Sequence, residues 1–244
     1  MNPGLEAAEV DALRVIFTSL GATVADVGGW TVLSRPDRPG HPWMHQVVAR
    51  GAVSADDLDV AMALAGPTAQ VQVPDGALID EAPADAVLAD RGLVVWSRLV
   101  RLVAPAPGAP AVTDLALVRV GREAAHDVVA VALAGFDIGE PEWFAAPLGA
   151  PGWTQVVAYD GAVPVATGAL HVRGPVGWVG AASTVPGRRR QGAQSALLAR
   201  RLQLAAAHGA TRVVAKVDPG SGSERNLRRA GFAPVYGVVQ WRPR

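Results

Sequence analysis

Short β-branched runs alternate with helical ones along the whole chain, and this alternation restricts the fold more than any other feature. Strand patterns fall at residues 30–33, 46–49, 70–73, 93–103, 115–120, 154–159, 163–172, 176–184, 212–217 and 235–241. Helical patterns fall at 5–19, 55–64, 83–90, 123–134, 192–208 and 224–229, with His208 and Gly209 as stop residues for the fifth. Such an order predicts an α/β (α+β layered) fold built on a mixed sheet. With 50% of the residues apolar, the chain has enough to bury a core.

The segment Ala104–Ala111, APAPGAPA, reads as a linker, because three prolines and a glycine continue neither a helix nor a central strand. It divides the 244 residues into a first domain, 1–105, and a second, 112–244, each of ordinary domain size. A weak repeat supports two copies of one fold: Leu88-Ala-Asp-Arg-Gly92-Leu93 and Leu227-Arg-Arg-Ala-Gly231-Phe232 each end a short helix on glycine before an apolar strand.

Several chemistries fall away at once. With no cysteine, disulfides, thiolate metal sites and cysteine nucleophiles are excluded. No apolar run reaches the roughly 18 residues of a spanning helix. The N-terminus, with Glu6, Glu9 and Asp11 and no basic region, does not read as a signal peptide, so a soluble cytoplasmic protein is the expectation. His41 and His45 are separated by Pro42, and His126, His171 and His208 add no ligand pattern, so no metal is expected. No G-x-S-x-G elbow supports a serine hydrolase.

The net charge of zero conceals an asymmetry. From Pro186 to Arg244 there are 12 basic residues against 2 acidic ones, so the rest of the chain carries the opposite excess. A C-terminal part of this kind suits an anionic partner, either nucleic acid or a small phosphate-bearing ligand. The sequence has no recognisable recognition helix or base-stacking motif, which favours the small ligand and leaves nucleic acid and membranes aside.

The stretch from Ala182 to Leu198 carries the chemistry. An apolar strand ends at Pro186-Gly187, the basic turn Arg188-Arg189-Arg190 follows, and a helix opens at Gly192. The first N–H groups of a helix lack internal partners and point outward at its positive end, which suits a phosphate. The helix shows an apolar stripe at Leu197, Leu198, Leu202, Leu204 and Ala205, and Arg201 falls within that stripe and is expected to snorkel. Gly187 and Gly192 fit half of a G-x-x-x-x-G-K-[ST] loop, but Ala193-Gln194 replaces the lysine and hydroxyl needed for NTP hydrolysis. A G-x-G-x-x-G dinucleotide fingerprint is also absent, since Gly220-Ser-Gly222-Ser-Glu-Arg225 lacks the third glycine.

This stretch resembles the coenzyme A loop of GNAT acyltransferases, R/Q-x-x-G-x-G/A, as Arg189-Arg190-Gln191-Gly192-Ala193-Gln194 followed by Ser195-Ala-Leu-Leu. Gln194 departs from the Gly or Ala of the pattern. Ser221 through Phe232 resembles the short helix and Gly-Phe that close the CoA site of that family, and the likeness covers about residues 112–244. The first half resembles a degenerate copy without the basic glycine loop. The resemblance implies two GNAT-like domains, each a mixed, mostly antiparallel sheet flanked by helices, with a V-shaped strand split in the second. It also implies acyl transfer from acetyl-CoA to a primary amine by direct attack in a ternary complex. Ala182, Ser183 and Thr184 would then pair with the pantetheine arm, and Arg189 through Gln194 with Ser195 would hold the pyrophosphate. Ser221, Arg225 and Asn226 would lie near the CoA arm and its phosphates.

The proton-transfer groups are less determined. Many family members place a tyrosine where Leu227 stands, and Tyr236 is the nearest substitute as acid. Asp137, Glu140 and Glu142, before Trp143, are candidate bases, with Glu142 the preferred one; the same segment also reads as a solvated acidic loop. Trp143 and Trp153 are candidate substrate contacts. The missing tyrosine keeps a non-catalytic CoA-binding or regulatory module as the alternative. The acceptor amine and the oligomeric state are not readable from these residues.

Overall fold

The computed structural model describes residues 3–110, 112–136 and 140–244. Its contacts divide the chain into two discontinuous units. The first comprises Met1–Arg101, Val217–Pro219 and Val235–Arg244; the second comprises Leu102–Lys216 and Gly220–Pro234.

The first unit begins with helix α1 (Pro3–Ser19), then strands β1 (Thr23–Val27), β2 (Trp30–Ser34) and β3 (His45–Ala49). Helix α2 (Ala55–Ala65), β4 (Gln70–Pro74), the two-residue strands β5 (Leu78–Ile79) and β6 (Ala82–Pro83), helix α3 (Ala84–Asp90) and β7 (Leu93–Pro105) follow. Ser54 caps α2 by accepting from the Asp57 N–H, and Asp56 and Asp57 lie in the first turn, where they favour the helix dipole. β1, β2 and β3 are antiparallel, and β4 runs parallel to β3.

The second unit supplies β8 (Ala116–Val120), α4 (Ala125–Gly135), α5 (Pro141–Ala145), β9 (Trp153–Asp160), β10 (Val163–Arg173) and β11 (Val176–Thr184). Helix α6 (Ala193–Ala207), β12 (Arg212–Val217) and α7 (Gly222–Arg229) follow, and β13 (Ala233–Pro243) ends the chain. β8 through β11 are antiparallel, and β12 runs parallel to β11. The order helix, three antiparallel strands, helix, parallel strand, short helix, strand therefore occurs in both halves of the sequence, and each unit is a mixed sheet flanked by helices.

The last strand sits with the first unit. β13 pairs antiparallel with β4, with Val239 opposite Val73 and Trp241 opposite Val71. Val239 and Trp241 belong to the same buried cluster as Trp30, Val47, Leu58 and Leu88. The units thus differ from the expected division at 1–105 and 112–244, because a buried apolar strand goes where its partners are rather than where its sequence neighbours lie. β7 also continues to Pro105, inside the proline-rich segment expected to be all linker. Ala106 then donates to the Thr211 carbonyl at 3.0 Å, and Gly108 lies against Leu202, where a Cβ would come within 2.5 Å of its side chain.

Two helices cover opposite faces of the second sheet. Ser183 is paired with Thr167, and its hydroxyl donates to the Val131 carbonyl of α4. The next residue on β10, Gly168, faces Arg201 of α6. The buried face of α6 is the predicted stripe of Leu197, Leu198, Leu202, Leu204 and Ala205. Among the described residues, no helix is long and apolar enough to cross a membrane.

Candidate functional site

The site grows from the way β11 leaves its neighbours. It pairs with β12 only over Val176–Trp178 opposite Arg212–Val214, although β11 runs on to Thr184 and β12 to Val217. Beyond Trp178 the two parallel strands part, and this is the V-shaped split. On its other edge β11 carries a bulge. Thr167 faces Ser183 and Ala169 faces Gly180, so three steps on β11 answer two on β10. Ala181, inside the bulge, has φ +45°, a left-handed conformation that side chains other than glycine seldom adopt.

At the end of β11 the chain makes a tight turn, with Arg188 N–H bonded to the Val185 carbonyl at 2.8 Å and Arg189 N–H to that of Pro186 at 3.3 Å. Arg190 has φ +64° and Gly192 φ +83°, and α6 starts at Ala193. Open space surrounds the position a Cβ would take on Gly192, so it is the left-handed backbone that calls for glycine there. No side chain caps α6, and its first backbone bond runs from the Ala196 N–H to the Gly192 carbonyl. Among the described residues, the N–H groups of Gly192, Ala193, Gln194 and Ser195 have no protein acceptor, while Arg189, Arg190 and Gln191 stand exposed around them. An uncapped helix start ringed by guanidinium groups is an anion-binding arrangement.

The predicted residues separate into groups. Arg188 pairs with Asp160 at 2.7 Å, Arg189 Nε reaches the Thr184 carbonyl at 3.4 Å, and Arg190 has no partner among the described residues. Gln191 Nε2 donates to the Gly187 carbonyl at 3.4 Å. The side chain of Gln194 turns away from the loop, and its Nε2 donates to the Ser183 carbonyl at 2.6 Å and to Thr184 Oγ1 at 3.0 Å. Ser195 Oγ donates to Asn226 Oδ1 at 2.7 Å, which joins α6 to α7 beside the loop. The Ser221 hydroxyl caps α7 by accepting from the Glu224 N–H, and Arg225 Nη1 donates to the Gly220 carbonyl at 2.6 Å. The Gly220 amide and the Arg228 guanidinium hold the Glu224 carboxyl below the usual range.

Two candidates for proton transfer remain. Tyr236 is counted with the first unit, whereas the loop belongs to the second. Its hydroxyl is buried with no hydrogen-bond partner among the described residues, and burial, aided by Glu6, pushes the phenol well above its ordinary value. Nearby in that unit, Arg101, Glu6 and Glu9 form a buried ion cluster. Glu142 is exposed in the first turn of α5, a helix that the acidic-loop reading did not anticipate, and Glu140 is buried just before it. Asp137 lies outside the described residues. Phe144 of α5 is buried against Val128, Ala132 and Val157, with Phe136, Trp143 and Ala181 packed around them. A cavity of about 630 Å³, lined in part by Arg119, Glu123, Trp153, Val172 and His208, opens at the other end of this sheet, where β11 begins.

Arg201 departs from the snorkelling expected of a charge in an apolar stripe. Its guanidinium does not snorkel. The residue is 3% exposed, and its hydrogen bonds run to the carbonyls of Leu197, Ala169 and Gly180, with no carboxylate partner among the described residues. Burial lowers it to about 10. The only sequence signal was a charge inside an apolar stripe.

Residues 132–232 match the family model described as the acetyltransferase (GNAT) family. The matched stretch runs from within α4 to Phe232, so the second half of the chain is similar to the acetyltransferases that this model describes. Solved structures share the fold over nearly the whole length. A GCN5-related N-acetyltransferase from Kribbella flavida is 18% identical, with 100% of this chain and 95% of that one covered and a TM-score of 0.75. A functionally unknown conserved protein from Staphylococcus epidermidis is 12% identical over 90% and 92% of the two chains, with a TM-score of 0.66. A tandem GNAT protein from the clavulanic acid biosynthesis pathway is 15% identical over 98% and 92%, with a TM-score of 0.62. No curated protein matches the sequence.

Proposed function

We propose that this chain transfers an acetyl group from acetyl-CoA to a primary amine by direct attack in a ternary complex. The observation that carries the reading is the row of unpartnered N–H groups at Gly192, Ala193, Gln194 and Ser195, set at the end of a strand that has parted from its neighbour. The pyrophosphate takes those amides, with Arg189, Arg190 and Gln191 around them. The pantetheine arm enters the split and pairs with backbone groups of Ala182, Ser183 and Thr184. An N–H of the parted strand meets the thioester oxygen as negative charge develops there. Ser195 and Asn226, bonded to each other, flank the phosphates together with Ser221 and Arg225.

The amine approaches from the side of Phe136, Trp143 and Ala181. Glu142, exposed in the first turn of α5, is the base assigned to the ammonium proton. Tyr236 receives no proton-transfer role in this reading, because its hydroxyl is buried. Much of the rate then comes from holding amine and thioester together. The family of the domain, its fold and the uncapped helix support this assignment over a module that only binds.

The test is isothermal titration with acetyl-CoA followed by thiol release across a panel of amines. Micromolar binding with turnover on at least one amine is expected. Absence of binding at millimolar acetyl-CoA would remove the proposal.

A further inference from the structure

Arg201 is a guanidinium buried in the second unit with no carboxylate partner among the described residues. The aligned stripe of α6 is otherwise apolar, and burying a charge without a carboxylate partner is unfavourable. The fold nevertheless makes room for it. A Cβ on Gly168 would lie 2.7 Å from Arg201 Cζ, so that residue has to be glycine for the guanidinium to lie flat under β10. Nη1 then reaches two carbonyls on different strands, Ala169 at 3.0 Å and Gly180 at 3.4 Å.

The consequence is stereochemical. Ala169 and Gly180 face each other across β10 and β11, and a single nitrogen can reach both carbonyls only if both point into the gap between these strands. The peptide joining Gly180 to Ala181 is trans, so its N–H points the opposite way from its carbonyl. The Ala181 N–H therefore faces the side of β11 from which β12 has parted. A cation on the carbonyl of a peptide also polarises its N–H and strengthens it as a donor.

From this geometry we infer that Arg201 is a positioning residue, which pins the bulge of β11 and turns a polarised Ala181 N–H into the split to receive the thioester oxygen. The inference rests on the acyltransferase reading for its ligand, but the link from Arg201 to Ala181 stands without it. No bond forms or breaks at Arg201; it acts through the peptide.

The test compares wild type with Arg201→Met, Arg201→Lys and Gly168→Ala, the last displacing the guanidinium without removing it. In ligand-free protein, the ¹⁵N resonance of the Ala181 amide should move upfield in Arg201→Met and part of the way in Arg201→Lys. With [1-¹³C]acetyl-CoA bound, the lowered carbonyl stretch of wild type should return toward its free value in Arg201→Met. On the best amine of the panel, kcat should fall at least tenfold while the KM for acetyl-CoA changes less than threefold. An unmoved Ala181 amide in both Arg201→Met and Arg201→Lys would overturn the inference, as would an unchanged carbonyl band. Should Arg201→Met fail to fold, Arg201→Lys and Gly168→Ala carry the same readings. Failure of wild type to bind acetyl-CoA would count against the acyltransferase reading, and the ligand-free amide would still decide the link to Arg201.

Discussion

Gln194 Nε2 donates to the Ser183 carbonyl at 2.6 Å, which ties the first turn of α6 to the last turn of β11. The side chain at the position where the GNAT loop pattern has Gly or Ala thus points into the protein and leaves its own N–H at the helix start. Gln194→Ala should leave the Ser183 carbonyl and Thr184 hydroxyl short of a donor and lower stability by about 1–3 kcal/mol. Acetyl-CoA affinity should change little, because the backbone amide stays. Urea denaturation and calorimetric titration on the same variant check both halves; a large loss of affinity with unchanged stability would contradict them.

At Gly192 the backbone, not the space, restricts substitution. Gly192→Val should weaken acetyl-CoA binding more than tenfold, because a β-branched residue at φ +83° is strained by more than about 1–2 kcal/mol and shifts the first amides of α6. Gly192→Asn should retain more affinity, since asparagine tolerates the left-handed region. Equal affinities for the two variants would show that backbone conformation is not what the glycine supplies.

Charge around the loop should be read unequally. Arg190 has no partner among the described residues, whereas Arg188 is engaged with Asp160 at 2.7 Å. Arg190→Ala should weaken acetyl-CoA binding about three- to tenfold at low salt, and the difference should shrink as ionic strength rises. Arg188→Ala should do less. Titrations at two salt concentrations separate these outcomes.

In the first unit, Arg101 is fully buried and bonded to Glu9 and, at 3.1 Å, to Glu6. Burial works against its charge, and the two glutamates outweigh it, holding it protonated. Arg101→Leu should lower stability by about 3–5 kcal/mol, because two buried carboxylates lose their cation. Chemical denaturation at neutral pH measures this, and a loss under 1 kcal/mol would show that the cluster contributes little.

Tyr159 donates to Asp127 at 2.8 Å, and its pKa is pushed up to about 12, by burial first and by that hydrogen bond second. A phenol whose folded pKa lies above its unfolded value of 10.0 contributes stability below pH 10 that is lost as pH rises toward 12. The contribution is on the order of 1–2 kcal/mol, allowing for partial exposure. Tyr159→Phe should be less stable than wild type at pH 8, and the gap should close by pH 12. A constant gap would place the effect in packing alone.

The alternation of strands and helices was legible because each element's periodicity is local. Strands at 176–184 and 212–217 match the structure to the residue, and the start of α6 beside Gly192 follows from a glycine after a basic turn. β1 is not legible in the sequence because its five residues are at most partly buried and carry no apolar alternation. The acidic composition around α5 reads as loop, although Pro141 at its first position is an ordinary helix opener.

Most strands and helices, and the glycine at which α6 opens after the basic turn, are written in residues a few positions apart and so are legible locally. That β13 joins the first unit, that the Tyr236 hydroxyl is buried and that Arg201 lies under β10 beside the bulge of β11 are set by the tertiary structure. Each of these depends on which buried surfaces and carbonyls meet across the fold, and no local pattern of residues encodes such long-range pairings.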